Sequence, residues 1–292
     1  MRTRKFVWGN FLLFALPTLF IFFTVTILPC LYGILLTFTN WNGIADSFQF
    51  VGIRNYIAVF QDKVFWSDFL LTLKYVFFTS LFSNLIAFLL AYTINTLLRG
   101  KNFYKVGFFT PNLIGGIILG YIWVFIFQRV LVYLGEATGM ELFSASWLTV
   151  PDKAFWALVI VSVWQLSGFL MVIYAAGLSG IRQDLLEAAS IDGCGGFQRL
   201  KYIVTPLMVS SFTICIFLSL QRTFMVYDLN LSLTNGGDPY NTTELISMHV
   251  YNKAFASQQY GVGQSEAFFL FLMVAAATGI QVYLSKKMEV ES

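Results

Sequence analysis

The chain has 292 residues, 58% of them hydrophobic and 11% charged, with 32 phenylalanines and a formal net charge of +3. A water-soluble body of this length needs far more polar surface, so the composition excludes a soluble globular protein and places the chain in a bilayer. The small positive charge reflects how Lys and Arg are shared among loops and gives no indication of a nucleic-acid partner.

Apolar runs able to cross about 30 Å of hydrocarbon lie at roughly Asn10 to Phe38, Phe69 to Leu98, Val106 to Phe127, Ala154 to Leu178, Leu207 to Tyr227 and Gln264 to Leu284. The expected fold is all-α, a polytopic membrane protein with six transmembrane helices and one membrane domain over 1–292, its core at about 66–285. The first run is too long for a secretory h-region and has no A-x-A-like site at its end, so that helix is expected to remain. Pro17, Pro29 and Pro111 fall within or beside spans, where a kink can shape a cavity and neighbours re-satisfy freed carbonyls. Loops from about Thr39 to Asp68, Gln128 to Lys153 and Asp228 to Gly263 carry boundary aromatics such as Trp41, Trp66, Trp147 and Tyr260.

The alternate segments hold Arg2, Arg4, Lys5, Arg99, Lys101, Lys105, Arg182, Arg199, Lys201, Lys286 and Lys287, against Arg54, Lys63, Arg129, Lys153 and Lys253 on the other side. The positive-inside rule then puts both termini in the cytoplasm. Cys30, Cys194 and Cys215 form no C-x-x-C and imply neither disulfide nor metal. His249 falls in an external loop with no second ligand nearby, which suits a surface role. The triplets at Asn230 and Asn241 match the glycosylation pattern but are discounted as chance.

The polar interruption from Gly180 to Pro206 reads as a helix-Gly-helix loop, also cytoplasmic. Asp184 to Ile191 has good helix formers, Gly193 to Gly196 breaks the helix, and a second short helix runs from Phe197 to Val204. Ala188 and Ala189 allow a close approach by a partner, while Glu187 and Asp192 offer charge at the rim of that contact.

In the fourth span Trp164, Ser167, Gly168 and Met171 share one face, with Gln165 alongside; in the fifth Gln221, Met225 and Asp228 form a stripe flanked by Arg222. Polar groups retained in a bilayer usually face a cavity or partner helix. An aromatic beside small and hydroxyl residues suits a sugar, so Trp164, Gln165, Ser167, Gln221, Arg222, Met225 and Asp228 are the candidate pathway residues. The alternative is that Ser167 and Gly168 serve close packing and Gln221 an interhelical hydrogen bond. Asn84 and Glu266 fit either use.

Glu187, Ala188, Ala189, Asp192, Gly193, Ile203 and Pro206 reproduce the E-A-A, D-G, I-x-L-P signature of permease subunits of binding-protein-dependent ABC importers, which the chain resembles. The strings LTFTNWNG (Leu36 to Gly43), FVGIRNY (Phe50 to Tyr56), RGKNFYKVGFFTP (Arg99 to Pro111) and DLNLSLTNGGDPYNTTEL (Asp228 to Leu245) are similar to the branch containing maltose, multiple-sugar and glycerol-phosphate permeases. Cys194, Leu200 and Thr205 depart from the usual pattern and change packing more than charge. The resemblance implies that the loop over 180–206 couples to a cytoplasmic ATPase through Glu187, Ala188, Ala189, Asp192 and Gly193. It further implies two ATPase subunits that bind ATP and Mg, a second homologous permease subunit, an extracytoplasmic solute-binding protein, a sugar substrate and a bacterial plasma membrane. The chain lacks G-x-x-x-x-G-K-[ST], so no nucleotide or other cofactor is expected in it.

Three other readings stand beside this one. Glycerol phosphate would favour a basic pocket, for which only Arg222 is at hand. An ion-driven transporter would need an acidic mid-membrane relay that the sequence does not show. A membrane enzyme lacks H-E-x-x-H, G-x-S-x-G or a paired acid-base cluster.

Overall fold

A computed structural model describes residues 11–97 and 100–287. Arg2, Arg4, Lys5 and Arg99, part of the positive-inside argument, lie outside the described residues. Helix dominates, and an isolated bridge between Thr39 and Phe50 is the extended pairing found among the described residues.

In chain order the helices are α1 (Phe11–Leu36), α2 (Arg54–Gln61), α3 (Lys63–Leu97), α4 (Lys101–Leu113), α5 (Gly116–Thr138), α6 (Pro151–Ser179), α7 (Gln183–Ile191), α8 (Gly196–Leu207), α9 (Val209–Phe224), α10 (Asp228–Thr234), α11 (Ile246–Tyr251) and α12 (Tyr260–Lys286). Wide π turns interrupt α1, α5 and α8. Helices α1, α3, α5, α6 and α12 are long and apolar enough to span a membrane, and α8 with α9 forms a bent pair that can serve as a sixth span. The chain is therefore a multi-pass membrane protein.

Two expected spans differ from the sequence reading. The run from Val106 to Phe127 is split: α4 ends at Leu113, Ile114 and Gly115 are extended, and α5 then continues past Phe127 to Thr138. Pro111 removes a donor from the last turn of α4 and Gly115 with Gly116 lowers the cost of the break. The expected span from Leu207 to Tyr227 is the shorter α9, which meets α8 at a 71° bend at Met208, just after Pro206.

The described residues form two compact units, one from Met1–Lys63 with Val250–Phe271 and one from Val64–His249 with Leu272–Ser292. In the first, the Asn55 amide reaches the carbonyls that end α1, and Gly261 lies so close to the Thr39 carbonyl that a Cβ there would collide with it.

The second unit is built around α6, the most buried span. Its core joins Ala87, Ala91 and Ile94 of α3 with Leu170, Met171, Tyr174 and Ala175 of α6, and with Val204, Met208 and Cys215 of the bent pair. Close approach depends on small residues, as is usual where helices pack in lipid: Gly168 lies against the Phe108 carbonyl of α4, and Gly120 of α5 against Ser232 of α10.

The region from Asp228 to His249, expected as an open loop, is folded. Asn230 is fully buried; its amide donates to Thr234 Oγ1 and to the Thr243 carbonyl, both at 2.8 Å, and accepts from the Leu245 N–H at 3.0 Å. His249 is not a surface residue. It is buried, with Nδ1 2.8 Å from Asp68 Oδ2, while Thr72 Oγ1 accepts from the Ile246 N–H. Sequence spacing hid this pairing because its partners are far apart in the chain.

Candidate functional site

The break between α4 and α5 leaves backbone groups without helical partners, and side chains from three helices gather around it. Gln165 donates from Nε2 to the Ile114 carbonyl at 3.2 Å. Because Gln165 is at the midpoint of the 29-residue α6, the break lies near the mid-depth of that span. Irregular backbone at such depth is tolerated where protein covers it or where it lines a cavity. Arg222, in the last turn of α9, donates to Asn112 Oδ1 at 2.7 Å and lays its guanidinium over the Phe169 ring, 4.0 Å from the centroid. Asp228, which opens α10, packs against Gly116 at the first turn of α5.

The expected pathway residues thus divide. Gln221, Arg222, Met225 and Asp228 are exposed in this chain, and Gln165 is half-buried. Ser167 is buried, bonded to the Trp164 carbonyl of its own helix; Gly168 packs on Phe108 and Met171 lies in the core. Trp164 meets Trp123 edge-on at 5.4 Å and, together with Ser167, Phe82, Phe108 and Trp156, lines an apolar cleft of about 520 Å³. Asn112 escaped sequence reasoning; its signal is a polar residue directly after Pro111 in an otherwise apolar run.

Asn84 has a separate part. It donates to Ser219 Oγ at 2.9 Å and accepts from Tyr174 OH at 2.8 Å, tying α3, α6 and α9 together away from the break.

The knob is well formed. Helix α7 ends in a paired cap: the Cys194 N–H reaches the Ala189 carbonyl at 2.9 Å and the Gly193 N–H the Ser190 carbonyl at 3.2 Å, with Gly193 left-handed at φ +79°. Gln198 then accepts from the Gly195 N–H at 2.9 Å and opens α8. The expected second helix, Phe197 to Val204, is instead one α turn followed by a π turn over Leu200–Val204. Glu187, Ala188, Asp192 and Gly193 are exposed and Ala189 is buried. Ile191, Phe197 and Tyr202 are also exposed, giving the knob an apolar surface. Its inner side, through Ile181, Leu186 and Leu200, packs on the core shared by α3, α6 and α9. Glu187 additionally borders a polar cleft of about 390 Å³ with Asn95, Lys101 and Arg199. At the start of α7 Arg182 grips Asp184 with Nε 3.1 Å from Oδ1; that hydrogen bond holds the carboxyl below, and the guanidinium above, their ordinary ranges.

Residues 55–290 match the model of one family, described as the binding-protein-dependent transport system inner membrane component. The chain belongs to this family. It is a transport permease subunit rather than an enzyme. Among its relatives is a probable starch degradation products transport system permease protein of Thermoanaerobacterium thermosulfurigenes, 40% identical over 96% of this chain and 94% of the relative. A multiple sugar-binding transport system permease protein of Streptococcus mutans is 31% identical over 97% of both. The fold matches a chain of a bacterial alginate ABC transporter, solved in complex with an alginate pentasaccharide-bound periplasmic protein; the TM-score is 0.82, with 21% identity and coverage of 99% and 98%.

Proposed function

We propose that this permease is one half of an ATP-driven importer for a neutral sugar or oligosaccharide handed over by an extracytoplasmic binding protein. The observation that carries the reading is the gathering of Asn112, Gln165, Arg222 and Asp228 around a helix break at mid-span, with Gln221 and Met225 open beside it. Amide and charged groups of this kind bond hydroxyls, and the Phe169 ring under Arg222 holds the guanidinium in place. Arg222 and Asp228 carry opposite charges, which favours a neutral ligand over a phosphate. The relatives named for starch products and multiple sugars support the substrate class, and the alginate complex supports the binding-protein partner.

The knob supports an ATPase partner. Its exposed face offers Glu187, Ala188, Asp192 and Gly193 with Ile191 and Phe197, while its inner face is fixed to the helices that carry Gln165 and Arg222. A displacement of the knob is then transmitted to the foot of α6 and the bend at Met208 as a rigid-body shift. Two ATPase subunits would supply ATP and Mg chemistry, and a second homologous permease would close the pathway. The family description supports an inner membrane placement, and the Lys and Arg residues on the knob side favour an orientation with the knob and both termini in the cytoplasm.

The test is uptake of labelled oligosaccharides and of glycerol 3-phosphate by proteoliposomes holding the whole complex and its binding protein. Sugar uptake is expected only with ATP, and Arg222→Gln combined with Gln221→Leu should lower it about tenfold, the loss of roughly 1.4 kcal/mol of hydrogen bonding. Glu187→Lys should lose the co-purifying ATPase while the protein still reaches the membrane. Uptake without ATP, or glycerol 3-phosphate as the sole transported solute, overturns the reading.

A further inference from the structure

The short helix α2 lies between two spans and is amphipathic in an unusual way: its buried face is partly polar and its exposed face is apolar. Asn55 and Val59 are 6% and 1% exposed. Asn55 Nδ2 donates to the Thr37 and Thr39 carbonyls, both at 2.8 Å, and Tyr56 OH to Thr37 Oγ1 at 2.9 Å. The Phe38 ring packs against Tyr56 and Phe50 at 5.6 and 6.0 Å. On the other face Ile53, Ile57 and Phe60 recur at i, i+4 and i+7 and are 64%, 47% and 57% exposed, with Phe50 just ahead at 77%. Phe60 touches Phe269 edge-on, yet most of its surface stays open.

Those hydrogen bonds fix the height of α2. Thr37 directly follows α1, whose 26 residues rise about 39 Å, more than enough to cross a hydrocarbon core of about 30 Å. The helix is thus pinned at the level where α1 leaves the bilayer. Leu28, Leu31 and Leu35 in the last turns of α1 are exposed too, so apolar surface is open on the span as well as on α2. Arg54, exposed beside Ile53, is long enough to reach headgroup phosphates while its neighbours face acyl chains.

We propose that α2 is an interfacial helix that lays Phe50, Ile53, Ile57 and Phe60 into the headgroup and acyl boundary of the leaflet in which α1 ends, holding the loop after α1 against the membrane. This rests on the membrane spans alone and stands or falls independently of the transported solute.

The experiment uses the full transporter complex in lipid nanodiscs. Phospholipid carrying a diazirine near the top of its acyl chain is photolysed, and adducts on the wild-type chain are mapped by mass spectrometry. Adducts are expected on Ile53, Ile57 and Phe60 and not on Asn55 or Val59. As a second measurement, spin labels at Ile53→Cys and Ile57→Cys, in a background with Cys30, Cys194 and Cys215 replaced, should favour oxygen over an aqueous nickel chelate and report a depth of about 5–10 Å below the phosphates. Nickel access at positions 53 and 57 would place this face in water. Exclusion of both reagents, with protein adducts in place of lipid adducts, would assign it to a protein partner. Either result overturns the proposal.

Discussion

Replacing Gly193 perturbs the cap of the knob through the backbone alone. Its φ of +79° lies in the left-handed region, and a Cβ built there meets nothing within 4 Å, so alanine adds strain without a clash. That strain is about 1–2 kcal/mol for a residue with a Cβ, smaller for asparagine, which tolerates the region. Proline costs more, because its φ is fixed near −65° and it lacks the N–H that bonds the Ser190 carbonyl at 3.2 Å. A loss of about 1.4 kcal/mol is a tenfold change in the population of the formed turn. ATP-driven uptake, normalised to the amount of protein in the membrane, should therefore fall in the order wild type, Gly193→Asn, Gly193→Ala, Gly193→Pro, with the last near background. Co-purification of the ATPase should follow the same order. If Gly193→Pro transports as well as Gly193→Asn at equal membrane abundance, the cap is not what holds the docking surface in shape.

Other substitutions probe the rest of the framework. Asn84→Leu leaves the buried Tyr174 hydroxyl and Ser219 without their shared partner, and should lower the melting temperature by the equivalent of about 1–2 kcal/mol; adding Tyr174→Phe should recover part of the loss. His249→Ala removes the partner of buried Asp68 at about 1–3 kcal/mol, and Asp68→Asn in the same chain should offset some of that in a melt. Asp184 has its carboxyl depressed by Arg182, so the contribution of this pair is present above the unfolded carboxylate range and fades as pH falls through the lower folded value. The two side chains are 58% and 76% exposed, and solvent screening makes such pairs weak. Asp184→Asn should accordingly leave both the melting temperature and its pH dependence unchanged within error.

Composition and local pattern were enough to establish an all-helical membrane chain, most of its spans and the knob, because each depends on properties of a single segment. A run of apolar residues must leave water wherever its neighbours go, and a left-handed glycine after Asp192 ends α7 whatever it packs against. Family likeness was legible for the same reason, since the E-A-A and D-G residues are contiguous. The rest depended on residues distant in the chain. Trp164, Ser167, Gly168 and Met171 share a face by helical spacing, but only packing showed that Met171 enters the core and Gly168 meets the α4 backbone, while Trp164 and Ser167 border an apolar cleft. Asn112 joined the site because Arg222, far along the chain, bonds it, and His249 left the surface because Asp68 was waiting in α3. Periodicity states which residues point together; which of them meet protein, lipid or solute is settled by what tertiary packing brings opposite.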